Sequence, residues 1–167
     1  MTGEILAALL GAVAAGILQT FVAIYQRRHI AKATLVAIAT EVAAICQLVR
    51  TQEFQPYLQR QAEAIRAGNW DGKAFFVDSR ADYFSVFDAN AQNIGILRSS
   101  DAAKIVSFYA YCKSVIDMSR PDGRMATNSD PSFVAENMLR LDALVGMVLA
   151  LGEEIMHMPQ VDPFIAG

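Results

Sequence analysis

Apolar and small residues run without a charge from Ile5 to Tyr25, and Arg27-Arg28-His29 follow almost at once. Twenty-one such residues at ~1.5 Å rise make a helix about 31 Å long, close to the ~30 Å hydrocarbon core of a bilayer. The stretch is two-sided. At about 100° per residue, Ala8, Gly11, Ala12, Ala15, Gly16, Gln19, Ala23 and Gln26 fall on one face. Leu6, Leu9, Leu10, Val13, Ile17, Phe21 and Ile24 fall on the other. A helix that only anchors a protein in lipid has no need of such sidedness, whereas one that packs on other helices does.

No proline or glycine occurs between Ile17 and Gln55, so the pattern predicts one unbroken helix from about Glu4 to Thr51. Ala31, Leu35, Ile38, Val42, Ile45 and Val49 recur at three- and four-residue steps and predict its buried stripe. His29, Ala33, Thr34, Ala37, Thr40, Glu41, Ala44 and Gln47 continue the small-and-polar face on the other side. Pro56 marks a bend or a new first turn, and residues 56–67 form a short polar helix with Tyr57, Leu58 and Ile65 as its apolar contacts. Gly68 is its expected C-terminal cap. Residues 82–94 form a further short helix, stopped by Gly95.

Ser99 or Ser100 is placed to cap the next helix, with Asp101 in its first turn. Ile105, Phe108, Tyr109, Cys112, Val115 and Ile116 supply its buried stripe. Pro121-Asp122-Gly123 ends it, and a polar loop leads to Asp130-Pro131, an N-cap followed by proline at the first helical position. The last helix runs to about Met158. Val134, Met138, Leu141, Val145, Val148 and Ile155 line one face, widened by Leu144, Met147 and Leu151. Its uncharged run, Ala143 to Gly152, is too short to span a bilayer, so it is a core helix. The expected fold class is all-α: one N-terminal transmembrane helix, residues 1–28, continues into a cytosolic antiparallel helical bundle, 29–158, with a tail at 159–167.

Composition and charge refine this picture. The chain has 167 residues, 54% of them hydrophobic, which suits one membrane segment plus one domain. The positive charges follow the apolar run instead of preceding it, opposite to a secretory signal. By the positive-inside rule they place the N-terminus outside and the domain in the cytosol. The net charge of −3 gives no global attraction to nucleic acid. Cys46 and Cys112, each inside an apolar helical pattern, are expected to be buried, reduced thiols.

No pattern of catalytic residues emerges. His29 lies beside Arg27 and Arg28 as a headgroup-contacting membrane anchor, and His157 lies in a last helical turn, where the helix dipole favours a cation. Neither belongs to an HExxH, HxH or His-Asp cluster, and phosphate-binding glycine loops and GxSxG are absent. Glu153 and Glu154 are expected on solvated surface, and Arg60, Arg66, Lys73, Arg80, Arg98, Lys104, Lys113, Arg120 and Arg124 are dispersed. No enzyme and no cofactor are expected. The aromatic and acidic stretch 70–88 is either a packed loop over the core or a partner surface.

The membrane face carries more. Ala8-xxx-Ala12-xxx-Gly16 and Ala7-xxx-Gly11-xxx-Ala15 are overlapping small-residue ladders that let helix backbones approach closely. Gln19 and Gln26, seven apart on that face, need a neighbouring helix or water. A dimer or small bundle buries the stripe, and a larger ring turns the glutamines to a wet lumen.

Residues 82–90, DYFSVFDAN, with Ile94-Gly95-Ile96-Leu97 and Lys104-Ile105-Val106-Ser107-Phe108-Tyr109, resemble a pattern of small single-pass bacterial membrane proteins. Among characterised proteins the layout resembles the small membrane accessory proteins of type VI-B CRISPR systems. That resemblance implies a ring-shaped oligomer forming a pore, in antiviral defence beside an RNA-guided RNase. The Arg-to-His spacing of HEPN nucleases is missing here, so no nuclease residue is carried over. The expectation is an oligomeric inner-membrane protein, pore-forming or membrane-perturbing. Its expected partners are lipid, further copies of itself, and a cytosolic protein or RNA-guided effector. The alternatives are a membrane-tethered binding module and a soluble protein with a buried first helix.

Overall fold

The computed structural model describes residues 2–70, 83–122 and 124–158, with side chains from Leu10 onward except at 124 and 125. The described residues are helical throughout, joined by turns, so the chain is all-α. Helix α1, Thr2–Thr51, is a single run of 50 residues, roughly 75 Å long at ~1.5 Å per residue. Its length follows from the uninterrupted stretch of good helix formers, with neither proline nor glycine after Gly16.

α1 ends at Thr51, where the sequence places its end. Gln52 and Glu53 form a turn, and Glu53 takes a left-handed conformation, φ 50°, ψ 38°. Helix α2, Phe54–Arg66, then starts two residues earlier than the sequence indicated. Pro56 sits inside its first turn, where a missing N–H costs nothing. Leu58, Ala62 and Ile65 are its buried residues. Gly68, at φ +78°, supplies the left-handed residue beyond the helix end.

Helix α3, Ser85–Asn90, passes directly into a 3-10 turn, Ala91–Ile96. Helix α4, Ser99–Met118, is capped at Arg98, one residue before the expected serine, with an extended backbone and no side-chain capping bond. The expected polar loop before Asp130 contains one more helical turn, α5, Arg124–Thr127. Helix α6, Pro131–His157, starts as its sequence predicts: the Asp130 carboxylate accepts from Ser132 N–H at 2.9 Å and Pro131 opens the helix.

α6 is the central element. Its N-terminal half packs on α2, where Leu58, Ala62 and Ile65 meet Val134, Ala135, Met138, Leu141 and Val145. Gln55 and Gln59 both donate to the Asp142 carboxylate, at 3.2 and 2.9 Å, along this seam. Its C-terminal half packs on α1 and α4 in a second core, with Ala31, Leu35, Ile38, Val42, Cys46, Ile105, Phe108 and Ile155. The sequence of contacts sets the directions. Lys104 pairs with Glu154 at 2.5 Å, and Phe108 lies beside Gly152, so α4 runs antiparallel to α6.

The crossing of α1 over α6 needs a glycine. A Cβ at Gly152 would be driven into Cys46 Sγ, with Phe108 and Val42 at 3.4 and 3.5 Å. Met147, expected on the buried face, is 46% exposed, because α1 and α4 cover α6 on one side only at that level. Glu153 and Glu154, expected to be merely solvated, are both ion-paired: Glu153 with Arg50 of α1, Glu154 with Lys104 of α4. At about half exposure each pair contributes little stability, roughly 0–1 kcal/mol, but together they tie both neighbours to α6.

Candidate functional site

α1 changes character at residue 31. From Leu10 to Ile30 every residue is exposed, and this part of the helix touches no other described part of the chain closely enough to bury a side chain. Leu18, Phe21 and Tyr25 are 66, 67 and 71% exposed. From Ala31 onward one side of the same helix is in the core. A large exposed apolar surface of this kind marks an interaction site, since soluble monomers seldom present one. The α1 segment Leu10–Thr51 is apolar enough to cross a membrane, and it lies near the N-terminus.

Gly11, Ala12, Ala15, Gly16, Gln19, Ala23 and Gln26 are all exposed on this projecting helix, together with Arg27, Arg28 and His29. Ala8 lies in the same helix, and its side chain is outside the described residues. A Cβ at Gly11 or Gly16 would meet nothing within 4 Å, so neither glycine serves packing among the described residues. The Thr20 hydroxyl donates back to Gly16 C=O at 2.9 Å, satisfying itself within the helix. The amides of Gln19 and Gln26 form no hydrogen bond among the described residues.

The small-and-polar face does not continue intact into the domain. Thr34 is buried, and Ala37 and Glu41 are half-buried under α3 and the 3-10 turn. What persists is one edge of the face: His29, Ala33, Thr40, Ala44 and Gln47 remain exposed, in line with Gln19 and Gln26. The other edge is consumed by tertiary packing around Glu41.

Glu41 is the polar centre that the sequence pattern did not single out. Its carboxylate accepts from Val86 N–H at 2.7 Å and Phe87 N–H at 3.0 Å, the free amides of the first turn of α3. It also accepts from the Tyr109 hydroxyl at 2.6 Å. One α1 carboxylate thus caps α3 from outside and ties both to α4. Tyr109 is 1% exposed; its ring stacks on Phe87 at 3.9 Å and meets Phe84 edge-on at 5.5 Å. Burial, and next the Glu41 carboxylate, pushes the Tyr109 phenol well above its ordinary range. Lys113 stands 5.8 and 6.0 Å from the Phe84 and Phe87 ring centroids. Of the stretch 70–88, residues 83–88 therefore form a packed cover over the core, while 71–82 lie outside the described residues.

Beyond Glu41 the helices leave an apolar pocket of about 100 Å³. α1 contributes Ile45, Leu48 and Val49, the turn after it Gln52, α4 contributes Cys112, Val115 and Ile116, and α6 contributes Val145 and Val148. Phe54, Tyr83 and Phe84 complete the lining. Burial pushes the Cys112 thiol up to about 12, with Cys46 adding to the shift, and burial also raises Cys46. Both cysteines are free thiols.

Three of the cations spread along the sequence are ion-paired. Arg98 pairs with the buried Asp101 at 2.8 Å, Arg120 with Asp122 at 3.1 Å, and Lys104 with Glu154. Lys73 and Arg80 lie outside the described residues, as does the Arg124 side chain. His157 Nδ1 lies 2.7 Å from Glu153 C=O, within its own helix. Among the described residues no three His, Cys, Asp or Glu side chains gather as a metal site. No family model matches the chain, and no curated protein or solved structure matches it either.

Proposed function

We propose that this is a single-pass inner-membrane protein whose projecting helix self-associates through its small-and-polar face, into a bundle or pore. The observation that carries this reading is the change at residue 31: twenty-one consecutive exposed positions, mostly apolar, emerge from a well-packed helical domain. Lipid covers the Leu10, Val13, Ile17, Phe21 and Ile24 side, and neighbouring copies cover Gly11, Ala12, Ala15, Gly16 and Ala23. Gln19 and Gln26 then satisfy their amides across the helix interface or in a wet lumen. Tyr25 and Arg27-Arg28-His29 sit where the headgroups and the cytosolic surface meet, with the domain in the cytosol. The role is non-enzymatic, and the resemblance to CRISPR-associated membrane accessory proteins makes phage defence, beside an RNA-guided effector, the setting to try first.

The experiment is membrane depolarisation and dye leakage in cells expressing the chain, with and without phage challenge. Expected is leakage that Gln19→Leu abolishes while expression and membrane fractionation are unchanged. Intact membranes under every condition, or a Gln19→Leu variant identical to wild type, would overturn the pore. A second reading is a tethered binding module whose partner docks on the cytosolic helices. Replacing residues 5–25 with an unrelated apolar helix separates the two, because a tether retains function and a self-associating span loses it.

A further inference from the structure

α1 and α4 rise in the same direction from the end of the domain where the projecting helix enters it. Val42 and Cys46 of α1 meet Gly152 of α6, and further along α1 Val49 packs against the core that holds Val145. α1 therefore runs antiparallel to α6, as α4 does, and α1 and α4 are parallel. Their relative height is fixed by the Tyr109 hydroxyl, which donates to Glu41, and by Cys112 and Val115, which line one pocket with Ile45 and Val49. Eleven residues before Tyr109, about 16 Å down the helix, Arg98 caps α4. Eleven residues before Glu41, α1 is at Ile30. The start of α4 thus stands level with Ile30 to Lys32, about one turn above Arg27 and Arg28.

This placement brings cations from two distant stretches of sequence to one end of the domain. Arg27 and Arg28 precede the buried Ala31 by four and three residues, so they lie on the side of α1 that the domain overhangs. Lys32 follows Arg28 by one turn, and all three are exposed. Arg98 joins them from α4, its side chain 27% exposed and held by Asp101 at 2.8 Å. The small-and-polar face, with Gly16, Gln19, Ala23 and Gln26, points to the far side of α1. Copies that meet on that face leave the overhanging end of each domain above the surrounding lipid.

We propose that this end of the domain docks on the anionic phospholipid headgroups of the bilayer that α1 crosses, with Arg27, Arg28 and Lys32 on one side of a headgroup and Arg98 on the other. Charge selects the partner. Three cations stand within two turns of α1, while the acid beside them among the described residues, Asp101, is engaged by Arg98. A cytosolic leaflet carrying negative lipid attracts such a surface, and a zwitterionic one does not. Arginines at the end of a span set its depth; a contact through Arg98, on a second helix, also sets how the domain leans over the membrane. The docking surface presupposes the membrane span of the proposed function, but not a pore.

The test uses the full chain in nanodiscs of phosphatidylcholine alone or mixed with phosphatidylglycerol, and reads hydrogen exchange at the Ser99 and Ser100 amides. Expected is exchange slowed by about threefold or more with phosphatidylglycerol, and relieved by high salt. Lys32→Gln, at an exposed position, is expected to weaken the response to phosphatidylglycerol about fivefold. Ser99→Glu is the sharper variant. A negative charge in the first turn suits the dipole of α4, so domain melting holds or rises while the protection by phosphatidylglycerol disappears. Equal exchange in the two nanodiscs would overturn the proposal, as would full protection in Ser99→Glu or in Lys32→Gln. A chain that does not insert into either nanodisc would overturn the membrane span and the docking surface together, whereas insertion with lipid-independent exchange overturns the docking surface alone.

Discussion

Residues 10–30 and 31–51 belong to one helix, of similar apolar content, yet they obey different physics. In the first half, a hydrophobic side chain is buried by no partner among the described residues; Phe21 and Leu18 are about two-thirds exposed. In the second half, Leu35, Ile38, Val42 and Cys46 are essentially closed to solvent. What differs is the partner. The second half has helices α3, α4 and α6 to lean on, and its stripe of β-branched and aliphatic residues fits them. The first half carries small residues and glutamines where a core-facing helix would carry a second aliphatic row. Helix propensity is common to both; only the tertiary partner distinguishes a core stripe from a surface awaiting one.

The comparison breaks most sharply under a charge. Ile38→Asp, at a fully closed position, is expected to unfold the domain, costing about 4 kcal/mol or more, read by thermal or denaturant melting. Ile17→Asp is expected to leave domain melting unchanged and to weaken membrane insertion by about 2.5–3.5 kcal/mol, read by carbonate extraction. Equal melting losses in both would erase the distinction between the halves.

Glycines sharpen it next. Gly152→Ala forces a Cβ against Cys46 Sγ and is expected to cost about 1–3 kcal/mol of stability. Adding Cys46→Ala, which removes the obstructing sulfur, should restore part of that loss in a double-mutant cycle. Gly11→Ala and Gly16→Ala, with open space around them, should leave the melting temperature unaltered and instead change oligomer size in nanodiscs.

The polar anchor is a smaller lever. Glu41→Gln retains shape but loses the charge that three donors share, for an expected loss of about 1–2 kcal/mol and faster hydrogen exchange at Val86 and Phe87. The alkaline limb follows from Tyr109 and Cys112. Both have folded values raised above their unfolded ones, so the native state keeps protons that the unfolded chain has released. Stability is full below pH ~8.5 and declines as pH rises, first through the Cys112 window towards about 12 and, from pH ~10 upward, through that of Tyr109. Tyr109→Phe and Cys112→Ala should each flatten their part of the decline in denaturant titrations. The smallest effect is expected at the α1–α2 turn. Glu53→Gly relieves a left-handed backbone and should raise stability by about 0.5–1 kcal/mol.

Much of this arrangement was legible in the sequence, and the exceptions share a cause. The long α1, the Asp130-Pro131 start of α6, the Gly68 cap and the stripe Ile105, Phe108, Tyr109 and Cys112 all follow local rules: spacing, capping and proline geometry act within a turn or two of chain. Glu41, Thr34, Glu153 and Met147 departed from expectation because each depends on a neighbour distant in sequence. Glu41 looked like part of a polar face until the amides of α3, 45 residues away, came to rest on it. Met147 fits the apolar period of α6, yet it is 46% exposed among the described residues. The pocket was invisible for the same reason, since its walls come from four helices.

By itself the sequence determined the main helices, most of their ends to within a residue or two, and that an uncharged, two-sided stretch of bilayer length stands at the N-terminal end. Those properties are set by covalent geometry, side-chain entropy and the 3.6-residue period, which each helix carries alone. Only the tertiary structure decided that α1 enters the core at Ala31, that Glu41 holds α3 and α4, and that Gly152 admits Cys46. Only it decided that the helices leave an apolar pocket between them. Burial is a property of pairs of surfaces, and the identity of the second surface is written in another part of the chain.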